Sequence, residues 1–494
     1  MASTDMKLRT ARTIKWNLID KVSSQVLYAV TGIVLANVLS QEDFGLVGAV
    51  LVFQAFASLF VDSGFSYALI QRKRPTRLDY SSVLWFNIGV AVIIYTVLFA
   101  GAPLIARWFQ GDERLIPLSR VMFLSFIINA SAIVQTNRLM KRMNVKMIAV
   151  SNTVGLVASA AVGILLALRG YGAWAIVWQT LTLNTVKSAI LWCTSRWYPL
   201  LRFSWRSLRS FFNVGAGVAV SSFLNTVFLN IYSFIIGNQV GLRALGYYTQ
   251  ADKWSKMGIM SLSQILTSSF LPVLSQFQDD RERFGRAIMK MNRFTAYVMF
   301  PAVGMLMAMA KPLFHLLFGV KWDPSIVLFQ ILLLRGIFTV LSSLYNNYIL
   351  ALGHSKTLVW LEVLKDGAAL VAIVATMPFI TIAPPYNLTY GIKILLWGQL
   401  AASALTCAVA LTVTSRITGH GIMRFIRDSL PYAASTVLIV IPMLALTRHI
   451  ASPLWLLIAQ SIVGAGLYLI INRALDSRIQ SDALGYLLHR FRRH

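Results

Sequence analysis

GYYTQADKWSKMGIMSLSQILTSSFLPVLSQFQ, residues Gly246–Gln278, is long enough to cross a membrane and yet is threaded with polar side chains. Thr249, Asp252, Lys253, Lys256, Ser263, Gln264 and Thr267 fall mostly three or four apart, so on a helix they form one stripe. Trp254, Met257, Leu262, Ile265 and Phe270 supply the opposite face. A helix of this kind cannot face lipid on all sides. It lies flat in the interface, packs in a bundle, or lines a wet cavity inside a membrane protein.

The surrounding composition places the chain in the membrane. Hydrophobic residues make up 57% of 494 and charged residues 13%, against about 25% charged in soluble domains. Cys193 and Cys407 both sit in apolar segments, and the six histidines are scattered without metal-ligand spacing, so neither metal nor cofactor is expected. No Gly-Lys phosphate loop, His-Glu-x-x-His or Gly-x-Ser-x-Gly occurs. Asp279-Asp280, followed by Arg-Glu-Arg, reads as a solvated charge run, and the chain is not expected to be an enzyme. Met1–Lys15 is polar and basic, without a signal-peptide pattern, so the first apolar segment is expected to remain as a span.

The net charge of +27 suggests nucleic acid until its distribution is considered. About fourteen apolar spans of about 20 residues can be drawn, and the basic residues collect in alternate loops between them. With the N-terminus inside, the inner segments hold 30 Lys and Arg and the outer loops seven. That ratio orients both termini to the cytoplasm and excludes a nucleic-acid role. The longer inner connections Ser195–Ser210 and Pro272–Arg293, and the tail Ala483–His494, read as amphipathic helices lying on the inner surface.

An internal repeat sets the domain plan. Leu35-Ala36-Asn37 and Phe44-Gly45 reappear as Ile236-Gly237-Asn238 and Leu245-Gly246, at a constant offset of 201. APLIARWF (Ala102–Phe109) reappears as KPLFHLLF (Lys311–Phe318), offset by 209. The expected architecture is all-α: a six-helix lobe over 1–194, an inner amphipathic linker over 195–210, and a second six-helix lobe over 211–414. Two additional spans over 415–472 and a basic tail over 473–494 complete it. Two such lobes enclose a cavity at their interface, the usual place for a transport site.

Polar stripes occur in matched spans of the two halves. They are Asn17, Lys21, Ser24, Tyr28 and Thr31 in the first span, Gln54, Ser58, Asp62 and Ser66 in the second, Ser222, Thr226, Asn230 and Ser233 in the seventh, and the opening stretch in the eighth. Lys256 lies about ten residues past the outer end of its span, so roughly 15 Å deep. Lys253 is one turn away and Asp252 can neutralise only one of the two, which leaves a positive patch; a purely structural ion pair is the competing reading. Lys21, Lys253, Lys256, Asn225 and Gln264 are the candidate substrate contacts, and Asp62 and Asp252 the candidates for ion coupling. Lys21 also reads as a cation snorkelling to the inner head groups, and Asp62 as a satisfied buried carboxylate. Glu362, Lys365 and Asp366 read as a locally neutral structural cluster.

FGLVGAVLVFQAFASLFVDSGFSYALIQRK (Phe44–Lys73), YYTQADKWSKMGIMSLSQILTSSFLPVLSQFQDDRERF (Tyr247–Phe284) and KPLFHLLFGVKW (Lys311–Trp322) resemble bacterial polysaccharide flippases. These form the polysaccharide-transporter branch of the multidrug/oligosaccharidyl-lipid/polysaccharide (MOP) exporter superfamily. The resemblance covers nearly the whole chain. It implies an oligosaccharide on undecaprenyl diphosphate, moved from the inner to the outer leaflet of the bacterial inner membrane by alternating access. It implies membrane lipids, and other polysaccharide-biosynthesis proteins, as partners. It also implies that cavity cations meet the diphosphate, and Lys21, Lys253 and Lys256 fall in the corresponding spans. Relatives often carry Arg at such sites, and Lys lacks its planar fork.

Two other functions compete. A cation-coupled multidrug antiporter of the same superfamily would carry a mostly acidic cavity. A membrane-embedded polysaccharide polymerase or glycosyltransferase would need a catalytic loop outside the bilayer, and the outer loops are short.

Overall fold

The computed structural model describes residues 2–62, 69–277, 280–381, 389–477 and 479–481. They contain no strand. The helices are α1 (Ala2–Val38), α2 (Gln41–Asp62), α3 (Arg77–Trp108), α4 (Leu115–Met122), α5 (Leu124–Lys141), α6 (Val145–Leu168), α7 (Trp174–Ser195), α8 (Trp205–Gln239) and α9 (Leu242–Leu274). They continue with α10 (Arg281–Ala308), α11 (Ala310–Leu317), α12 (Asp323–Ala351), α13 (Ser355–Thr381), α14 (Tyr390–Thr418), α15 (Ile422–Ala445) and α16 (Pro453–Ala474). Eight candidate spans among the described residues are long and apolar enough to cross a membrane, or nine if the bent pair α10 and α11 counts as one. Helices α2, α8 and α9, outside that set, are those on which three of the polar stripes fall.

By contact the chain forms two compact units, Met1–Thr249 and Gln250–His494. In the first, α6 lies along both α1 and α7, α5 joins α7 to α3, and α2 lies along α8. One corner is fixed by a carboxylate. Asp43 accepts from the backbone and hydroxyl of Ser40 at 2.9 and 2.7 Å, capping α2, and from the backbone N–H of Ala173 at 2.8 Å, which opens α7. Gly172, at φ +54°, passes so close that a Cβ there would lie 2.7 Å from Asp43 Oδ1. Asp43→Ala leaves three donors without this acceptor. We expect it to destabilise the unit by about 1–3 kcal/mol, read as a lower unfolding midpoint in detergent; an unchanged midpoint would remove this role. Nearby, Arg114 donates to Asp112 from Nε, Nη2 and its backbone N–H and holds its carboxyl below the usual carboxylate range.

A second corner has local two-fold symmetry. A Cβ on Gly45 would fall inside the carbonyl oxygen of Leu242, and a Cβ on Gly246 inside that of Gln41. Gln41 and Leu242, like Gly45 and Gly246, are separated by 201 residues. Each repeat copy therefore presents the same glycine to the same carbonyl of the other. Aromatic packing repeats as well: Phe53 meets Phe109 edge-on at 6.2 Å, and Trp254 and Phe318, their counterparts at offsets 201 and 209, are 5.1 Å apart.

In the second unit, α14 lies between α12 and α13, while α15 packs on α10 and α16. Tyr468 donates to the carbonyl of Tyr297 at 2.8 Å, and Asn292 to that of Phe425 at 3.2 Å. Helices α10 and α11 bend by 60° about Met309. Pro312 has no N–H to give Ala308, so the ladder breaks there. The matching Pro103 leaves α3 unbroken.

Two expected surface helices are absent as separate elements. Residues Arg281–Arg293 are the first turns of α10, begun by Asp280, whose carboxylate accepts from Glu282 and Arg283 at 3.1 and 3.0 Å. Residues 196–204 are irregular, and α8 then begins at Trp205 with Ser204 as its cap. Continuing a capped helix satisfies every following N–H within the segment, whereas a separate surface helix needs two more ends satisfied. The proposed tail helix, Ala483–His494, lies outside the described residues.

Candidate functional site

The Gly246–Gln278 stretch lies mostly within α9, whose first turns are anchored through Gly246. Tyr247, Tyr248 and Ala251 are buried. Buried Gln250 accepts from the indole N–H of Trp254 at 3.1 Å. These contacts fix the helix about its axis and so aim its other face.

On that face the charges resolve into a pair and a remainder. Lys256 Nζ is 2.6 Å from Asp252 Oδ2, an i,i+4 pair with a half-buried carboxylate. Lys253 is exposed and makes no ion pair among the described residues. Its ammonium lies 5.7 Å from the ring of Trp254, where the π-face offers weak stabilisation. Asp252 neutralises Lys256, and the surplus positive charge sits on Lys253. Farther along, Gln264 is exposed, and the side chain of Thr267 lies outside the described residues.

The remaining candidates are spread over α1, α2 and α8. Lys21 is exposed on α1 and Asn225 exposed on α8. The Asp62 side chain lies outside the described residues. Lys21, Asp62 and Asn225 belong to the first compact unit, and Asp252, Lys253, Lys256 and Gln264 to the second. Gln54, grouped above with the second stripe, instead donates to Ser125 at 3.1 Å and ties α2 to α5. On α13, Lys365 pairs with Glu362 and lies 3.9 Å from Asp366.

A polar cluster absent from the sequence reading joins α1, α6 and α7. Asp20 accepts from Asn152 at 3.2 Å, Ser23 lies 3.4 Å from Thr153, and Lys187 is within electrostatic reach of Asp20. The available signal was Asp20 itself, an acidic residue beside Lys21 inside an apolar segment. No group of three or more His, Cys, Asp or Glu could hold a metal among the described residues.

The arrangement offers a surplus cation on a polar helix face, suited to an anion. The family described as "Polysaccharide biosynthesis protein" matches residues 34–327, from the end of α1 into α12. The chain belongs to that family. Among curated relatives, the succinoglycan biosynthesis transport protein ExoT of Rhizobium meliloti (strain 1021) is 24% identical over 477 residues, 93% of this chain and 92% of ExoT. Among solved structures, the lipid II flippase MurJ in an inward closed conformation superposes with a TM-score of 0.73 at 15% identity, over 94% of this chain and 99% of MurJ. An inward-facing multidrug resistance MATE family transporter of the MOP superfamily gives 0.60 at 14% identity, over 81% of this chain and 98% of the transporter. The chain is thus a member of the polysaccharide biosynthesis protein family that has the fold of MurJ and of the MATE transporter, with eight or nine candidate membrane spans among the described residues.

Proposed function

We propose that the chain carries an oligosaccharide on undecaprenyl diphosphate from the inner to the outer leaflet of the bacterial inner membrane, by alternating access. On this reading fourteen helices form the two six-helix lobes and two added spans, with both termini cytoplasmic. The observation that carries the proposal is the uncompensated Lys253 beside the neutral Asp252–Lys256 pair. A diphosphate is too costly to draw bare through hydrocarbon, and a cation on a wet helix face removes most of that cost. The lipid tail stays in the bilayer while the head group enters. Lys253 is then the leading diphosphate contact and Lys256 a reserve held by Asp252. Lys21, Asn225 and Gln264 serve the rest of the head group. With Asp252 engaged, Asp62 is the remaining carboxylate for ion coupling.

Family membership and the transport role in the name of ExoT support the same reading. Mass spectrometry of lipid-linked sugars in a strain lacking the gene tests it. A complete repeat unit should build up on the lipid, unexported. Accumulation of incomplete units would point to a glycosyltransferase, and undiminished export would reject the flippase.

A further inference from the structure

Three loops distant in sequence meet at one end of the Met1–Thr249 unit. Lys141, closing α5, donates to the carbonyls of Leu69, Ile70 and Arg72. Arg77 donates through Nε and Nη2 to the carbonyl of Tyr198 at 3.3 and 3.0 Å, and Trp85 to that of Leu200 at 2.9 Å. Between them lies a recess of about 390 Å³, walled by Arg77, Arg138, Lys141, Arg142, Tyr80 and Trp197. Among the described residues four cations line it and no carboxylate does. The one acidic residue of the three loops, Asp79, is committed elsewhere: it accepts from Thr76 and Ser207 and pairs with Arg72 at 3.4 Å.

We propose that this recess seats the phosphate of a lipid head group. Clustered cations repel one another unless an anion joins them. Arg138 stacks its guanidinium 5.0 Å from the Trp197 ring and 5.7 Å from the Tyr80 ring, leaving its edge for hydrogen bonding. Its Nη1 is buried with no hydrogen-bond partner among the described residues, so the guanidinium's donors are not all satisfied by the protein. The rim points to an amphiphile rather than a free ion. Just after Trp197 the chain exposes Tyr198, Leu201, Phe203 and Trp205, apolar side chains suited to the acyl–head-group boundary. On the positive-inside orientation the leaflet concerned is the cytoplasmic one. The inference needs only a membrane protein and not the identity of its cargo, so either proposal can fail without the other.

Native mass spectrometry of the full chain in detergent provides the test. The probes are phosphatidylglycerol, phosphatidylcholine with the same acyl chains, a short-chain polyprenyl diphosphate, and inorganic pyrophosphate. Saturable binding of phosphatidylglycerol or the polyprenyl diphosphate is expected, and the tighter of the two identifies the source of the phosphate. Arg142 is exposed and its side chain makes no hydrogen bond or ion pair among the described residues, so Arg142→Gln should fold normally. It should weaken the anionic lipid at least about tenfold, as should Arg138→Gln. Lys73→Gln with Arg74→Gln, on the neighbouring loop that carries Arg72 but outside the recess, should bind as wild type. Equal binding of phosphatidylcholine, equally tight binding of pyrophosphate alone, or an unchanged Arg142→Gln affinity would each overturn the proposal.

Discussion

Lys253→Ala is expected to lower surface polysaccharide to about a tenth or less of the wild-type amount, with the protein still present in the membrane. Hydrogen bonds to charged groups contribute about 1.5–3 kcal/mol, roughly 10- to 150-fold in a rate or an affinity. Among the described residues no carboxylate pairs with Lys253, whereas Lys256 is held at 2.6 Å by Asp252. Lys256→Ala leaves Asp252 unpaired and also takes the patch to neutral, so it too should lower export, and loss of both lysines should abolish it. Restoring the charge gives the sharper measurement. Asp252→Asn added to Lys253→Ala releases Lys256 and returns the patch to a single positive charge, so export should partly recover. A folding defect would not respond in that way. Wild-type export from Lys253→Ala, at a normal protein level, would end the assignment.

Gly45→Ala and Gly246→Ala should be the most damaging single-methyl changes in the first unit. Each places a Cβ against a backbone carbonyl, Leu242 or Gln41, that has no rotamer by which to move away. Overpacking of this kind costs about 1–3 kcal/mol and at times more. The local symmetry predicts that the two losses will be equal. Gly48→Ala provides the graded control. Its Cβ would meet Thr249 Oγ1 at 2.8 Å, a side-chain atom that can rotate, so the loss should be smaller. Unfolding midpoints in detergent would measure all three, and a neutral Gly246→Ala would show the corner to be looser than described.

Much of this was legible in the sequence because it depended on local periodicity. Spacings of three and four placed the α9 stripe on one face, and the 201-residue offset identified the two glycines before any contact was visible. The pairing of Asp252 was also within reach: Lys256 lies four residues on, over the same face, while Lys253 is turned about 100° away. What spacing could not supply was tertiary. Nothing in Gln54 announces Ser125, and nothing in Arg138 announces Trp197, because each partner arrives on a helix or loop at least about sixty residues away. The expected surface helices failed for a related reason. Amphipathic patterning tells which face is polar, but whether a segment starts a new helix or extends the next depends on where the cap falls.

The corner of α2 and α9 has the geometry of an isologous contact, in which residue i meets j′ and j meets i′. A half-length ancestor bearing one copy of this glycine and carbonyl would have been self-complementary, able to associate two-fold with a second copy of itself in the same orientation. Covalent fusion frees the two copies to diverge, and the start is visible one turn along, where Gly48 on one side faces Thr249 on the other.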